Sequence, residues 1–210
     1  MTVVIFGFEP FLEFKENPSE IIARSLRGRR ISGHIVHSVI LPVDYSKVEK
    51  LITKAIEKYK PTLALGIGLA GGRNKITPEK VALNFKQSES PDNSGGEVQG
   101  RAIDHLSADG IFSNLPVEGL VNYLNGQGIP ASLSFSAGSY LCNYAMFVIV
   151  RAARDRSENS RKFGGGFVHI PFHAEYVAKY NLKVPSLPLE TMKRSVALAI
   201  KYYLDNKTEY

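Results

Sequence analysis

The chain has 210 residues, 44% of them hydrophobic and 22% charged, which suits one globular domain over residues 1–210 with a substantial core. Its single cysteine, Cys142, excludes an internal disulfide and suits a reducing compartment, and no apolar run is long enough to span a bilayer. The net charge of +6 invites a nucleic-acid reading, but the basic residues scatter through Arg24, Arg27, Arg29 and Arg30, then Arg151, Arg154 and Arg156, then Arg161 and Lys162, without any nucleic-acid-binding signature, so they read as solvated helix faces and loops.

Thr2 to Phe6 is a β-rich apolar run ending at Gly7, the form of a buried strand. This N-terminal segment lacks the basic flank, long apolar core and cleavage site of a signal peptide, so a cytoplasmic protein is expected. After Asn17-Pro18-Ser19-Glu20, residues Ile21, Ile22, Ala23 and Leu26 support a first helix. His34 to Val43 reads as a strand. Tyr45 to Lys60 is an amphipathic helix with Val48, Leu51, Ile52, Ala55 and Ile56 on one face. Thr62 to Ile67 is a third strand, closed by Gly66-Ile67-Gly68-Leu69-Ala70-Gly71-Gly72. Further strands are expected at Lys80–Phe85, Ala131–Ser136 and Gly166–Ile170, and further helices at Val117–Asn125, Leu141–Arg154 and Leu189–Leu204. The order predicts an α/β fold with parallel crossovers and a sheet covered on both faces. Lys86 to Leu115 is rich in Ser, Gly, Asp and Pro, and a loop of that length usually carries function or packs against a partner.

Cys142 opens a predicted helix directly after a predicted strand, where the positive end of the helix dipole favours a thiolate nucleophile. The plainer reading is a small core hydrophobe. A thiol nucleophile needs a base and a group to orient it. Of the five histidines, His34, His37, His105, His169 and His173, His169 ends an apolar strand. It can therefore share with Cys142 the crevice at the carboxyl edge of the sheet, although a hydrogen-bonded strand-end histidine explains it equally well. Glu79 stands just before another apolar strand, but the residue pattern alone does not single it out. His169 and His173 have i, i+4 spacing, but Pro171 between them argues against a metal-binding helix. The glycine run at 66–72 fits neither phosphate-loop pattern; it reads as a turn bringing backbone groups close to a small ligand.

Several segments together resemble the pyroglutamyl-peptidase I family of cysteine peptidases. They are Gly7-Phe8-Glu9-Pro10-Phe11 with Asn17-Pro18, Leu41-Pro42-Val43, Gly68-Leu69-Ala70-Gly71-Gly72-Arg73, and Ile76-Thr77-Pro78-Glu79 with Lys80 to Asn84. The others are Pro91-Asp92-Asn93, Ser136 to Tyr144, and Gly165-Gly166-Phe167-Val168-His169-Ile170-Pro171. The resemblance implies a three-layer α/β/α sandwich around a twisted, largely parallel mixed sheet. It implies Cys142 as nucleophile, His169 as base and then acid, and Glu79 as the carboxylate that orients the imidazole. It also implies Phe8, Phe11, Tyr140 and Leu141 as apolar walls for a pyroglutamyl ring, with Asn17 and the Leu69 backbone helping to hold it. N-terminally pyroglutamylated peptides would be the substrates, no metal or organic cofactor is called for, and a homotetramer is suggested.

The sequence departs from the family pattern at Leu12-Glu13, where Gly-Gly is usual, at Leu69, where Gln is usual, and at Glu89 and Ser90, where an arginine and an apolar residue are usual. These departures motivate an alternative, a weak or silent binder of lactam-capped peptides on the same scaffold. A nucleoside-phosphorylase-like enzyme rests on broad α/β similarity alone, which does not carry function.

Overall fold

The computed structural model describes residues 1–88, 90–155 and 162–206. In chain order it forms β1 (Thr2–Phe8), α1 (Pro18–Leu26), β2 (Arg30–Ile31), β3 (His34–Leu41), α2 (Tyr45–Tyr59), β4 (Leu63–Leu69), β5 (Thr77–Pro78), β6 (Val81–Leu83) and β7 (Gly110–Phe112). It continues through α3 (Val117–Gly126), α4 (Leu141–Arg154), β8 (Gly164–Ile170), β9 (Phe172–His173), α5 (Ala174–Lys179), β10 (Ser186–Leu187) and α6 (Leu189–Asp205).

The main sheet runs β2-β3-β1-β4-β8-β5. Its four central strands are parallel, and the two-residue β2 and β5 pair antiparallel at its edges. Strand alternation divides the core in two. Val3, Ile5, Leu65, Ile67 and Val168 face α1, α3 and α6, whereas Val4, Phe6, Ala64 and Phe167 face α2 and α4. This is the α/β sandwich with a mixed sheet that the sequence leads one to expect. Helix starts follow local chemistry: Asn17 caps α1 ahead of Pro18, and Asp44 caps α2 by accepting from Ser46 N.

One expected strand does not form. Segment 131–136 runs beside 76–80 but pairs only at two isolated bridges, Ile76 with Ala131 and Glu79 with Ser134. Pro78 lies between them and has no N–H to give, which interrupts the ladder. The segment 86–115 is also more ordered than its composition suggests. Lys86 pairs with Arg101, Gly110–Phe112 forms β7 against β6, and Asp92 closes a local turn on Ser94 and Gly96. No helix among the described residues is long and apolar enough to cross a membrane.

Candidate active site

β4 and β8 lie side by side with Gly68 opposite His169, so both reach the carboxyl edge of the sheet on the face covered by α4. β5 pairs antiparallel with β8, Thr77 opposite His169, and Glu79 N donates to Phe167 O at 3.0 Å. This edge pairing carries Glu79, fully buried, to the imidazole: His169 Nδ1 lies 2.8 Å from Glu79 Oε1. A carboxylate on Nδ1 fixes the tautomer with the proton on that nitrogen and leaves Nε2 as the basic one.

Cys142 lies in the first turn of α4 and is half-buried. The lead-in turns at Gly138, whose φ is +81°. A Cβ built on Gly68 would lie 2.7 Å from Cys142 Sγ and 2.8 Å from Phe167 Cζ. The sulfur therefore occupies the space a side chain would fill, directly over the ladder partner of His169. Gly66 similarly yields to the Phe167 ring. The glycine motif is thus largely a strand hollowed for a ring and a sulfur, with only its last part forming a turn. No hydrogen bond joins the sulfur to the imidazole among the described residues; the two groups line one cavity. In ligand-free sites such catalytic contacts are often loose. Gly68→Ala is expected to push the sulfur aside, lowering turnover about 100-fold with a stability loss of about 1–3 kcal/mol. Activity assays with a thermal melt check this, and wild-type turnover in the variant would refute the packing argument.

The cavity measures about 270 Å³. Every residue expected to line it does so: Phe8, Phe11, Asn17, Leu69, Tyr140 and Leu141. Asn17 is also committed to structure, because its side chain accepts from Ser19 N and Oγ and donates to Glu9 O. The loop carrying Phe11 is braced by aromatic edges, Phe11 on Phe14 and Phe14 on Phe172. Asn93 pins it through Glu9 Oε1 and Pro10 O, which gives the Pro91-Asp92-Asn93 segment a physical task.

Sequence reasoning gave no role to Arg73. Its Nη1 donates to Glu79 Oε1 at 2.6 Å, and its Nη2 to Ser136 O at 3.0 Å. The sole hint was a basic residue at the end of the glycine run, six positions before Glu79. Asn143, fully buried, was also missed as a brace: it bonds Leu83 N and O and Phe85 O, tying the start of α4 to β6. The other histidines stand apart. His34 bonds Ser32 O, His37 stacks on Tyr59, His105 is exposed, and His173 caps α5. Ser90 borders a neighbouring cavity. Glu89, Arg156 and Arg161 lie outside the described residues.

The electrostatics correct one expectation. Burial pushes the Cys142 thiol up to about 12, the nearby Glu79 charge adds to this, and Arg73 opposes it only in part. Burial of the sulfur thus opposes the resting thiolate that the helix start alone would favour. Burial also pushes His169 below its ordinary value, against the pull of Glu79. For Glu79, burial acts upward, but the His169 contacts, Ser134 and Arg73 together hold the carboxyl below its ordinary value. These directions favour a neutral thiol, a neutral imidazole and an ionised carboxylate at rest.

Comparison with known proteins gives the class first: the relatives are peptidases. The chain is 54% identical over 209 residues to the pyrrolidone-carboxylate peptidase of Saccharolobus islandicus, covering 100% of this chain and 98% of that protein. It is 37% identical over 199 residues to that of Halalkalibacterium halodurans, covering 95% and 97%. The fold matches crystal structures of pyrrolidone carboxyl peptidase from Pyrococcus furiosus with a TM-score of 0.91 at 34% identity, over 98% of this chain and 99% of that one. The family described as pyroglutamyl peptidase matches residues 1–206, and the chain belongs to that family.

Proposed function

We propose that this chain is a cytoplasmic cysteine exopeptidase, one domain over residues 1–210, that removes an N-terminal pyroglutamyl residue from peptides. The observation that carries the reading is the Glu79–His169 pair opening onto an apolar cavity that also holds the Cys142 sulfur. Pyroglutamate is a neutral lactam without a terminal ammonium. Phe8, Phe11, Tyr140 and Leu141 offer it apolar contact, while the Leu69 backbone and the remaining Asn17 N–H offer amide hydrogen bonds.

The chemistry follows from the resting protonation states. As Sγ attacks the carbonyl carbon joining the pyroglutamyl unit to the next residue, His169 Nε2 takes the thiol proton, and the imidazolium that forms faces Glu79. α4 has no side-chain cap, so first-turn N–H groups, including that of Cys142, are left to hold the oxyanion. Collapse breaks the C–N bond, His169 gives its proton to the leaving amine nitrogen, and a thioester remains. Water, deprotonated by His169, then attacks the thioester; pyroglutamate leaves and the sulfur regains its proton.

A fluorogenic pyroglutamyl amide, compared with the matching prolyl amide, tests the reading. Hydrolysis of the first alone is expected, since proline lacks the lactam carbonyl. Binding without turnover would leave a silent binder, and equal cleavage of both would refute lactam recognition.

A further inference from the structure

A second cavity, of about 330 Å³, adjoins the first and shares Phe11, Gly138 and Tyr140 with it. It adds Leu12, Gln87, Ser90 and Ser139. Its walls are held in place: Gln87 N donates to Ser139 O at 2.9 Å, and the Tyr140 hydroxyl to Pro91 O at 3.4 Å. Gly138 and Tyr140, which border both cavities, stand four and two residues before Cys142 in the chain.

Leu12 is the unusual member. Its φ is +53°, in the left-handed region that glycine adopts without penalty and a leucine does not. Its side chain is 58% exposed, so little burial offsets that strain. Neither packing nor backbone preference accounts for a leucine here, yet its side chain supplies apolar surface at the rim of a cavity beside the nucleophile.

We propose that the second cavity receives the side chain of the residue following pyroglutamate, and that Leu12 makes it favour an apolar residue there. The proposal rests on the peptidase reading above. With the lactam in the first cavity and the scissile carbonyl at Sγ, the next Cα is only about 3.8 Å along the chain, which places its side chain to cross the walls that the two cavities share. An aliphatic side chain placed there meets Leu12, Phe11 and Tyr140.

The test measures release of pyroglutamate from pyroglutamyl-leucinamide and pyroglutamyl-glycinamide by wild type, Leu12→Asn and Leu12→Gly. Both replacements suit the left-handed backbone, and a thermal melt confirms folding. The readout is the ratio of kcat/KM between the two substrates. It is expected to favour leucinamide by about tenfold in wild type and to fall toward one in both variants. A wild-type ratio near one, or a ratio unchanged in the variants, would overturn the subsite while leaving the peptidase reading intact. Failure to hydrolyse either amide would overturn both.

Discussion

Cys142→Ala is expected to cut release of pyroglutamate by about 10⁴-fold or more, while a pyroglutamyl peptide still binds by calorimetry. In the proposed reaction the sulfur forms the acyl bond, whereas the apolar walls of the cavity belong to other residues and survive the change. Stability should change little, since the variant only empties the hollow over Gly68. Residual turnover above about one hundredth of wild type would remove Cys142 from the reaction. The high thiol pKa adds a distinguishing feature. Alkylation of the resting protein by iodoacetamide should be slow at neutral pH and accelerate steadily as pH rises, because the thiolate is the reactive form.

Glu79→Gln carries the second largest expected effect, a loss of about 10²–10⁴ in turnover. The amide can present either oxygen or NH₂ to Nδ1, so the tautomer is no longer fixed, and the imidazolium formed during attack loses its counter-charge. Arg73 keeps Ser136 O as a partner, so the protein should still fold. Turnover within tenfold of wild type would refute the orienting role, and a large loss of folded protein would make the residue structural. The pH dependence of stability separates these outcomes. Both His169 and Glu79 have depressed pKa values in the folded state, so the unfolded chain binds more protons in acid. Their contribution is complete above the ordinary histidine value of 6.5. It falls first below 6.5, where the unfolded chain's histidine takes up a proton that folded His169 still resists, and then below the ordinary glutamate value of 4.5, where the same holds for Glu79. The variant should lose the second phase, as read by chemical denaturation between neutral and acidic pH.

Much of this was legible in the sequence because it is locally encoded. The helix Leu141–Arg154 has the bounds that its apolar pattern predicts, and Asn17-Pro18 announces the start of α1. Position makes Cys142 and His169 candidates, one at a helix start and one at a strand end, but only the resemblance singles them out. Glu79 has no such positional mark. Its place beside His169 depends on β5 turning antiparallel against β8, a pairing of two residues that leaves no periodicity. Arg73 was hidden for the same reason, since its reach to Glu79 exists only after the chain folds back. A helix start is visible in sequence, whereas the desolvation that opposes a thiolate at Cys142 is not. The segment 86–115 looked loose because its order comes from scattered side-chain ties, Asn93 to Glu9 and Asn84 to Ile103 N and Asp104 N, rather than from a repeating apolar pattern.

The missing side chains at Gly66 and Gly68 also limit how a lineage carrying this fold can drift. A methyl group at either position meets the Phe167 ring, and at the second also the Cys142 sulfur. Substitution there is tolerated only if the aromatic is trimmed in the same descent, which would in turn uncover the floor beneath the imidazole. Gly66, Gly68, Phe167 and Cys142, on three separate elements, therefore form one packing unit in which an enlargement at either glycine asks for a change in a partner.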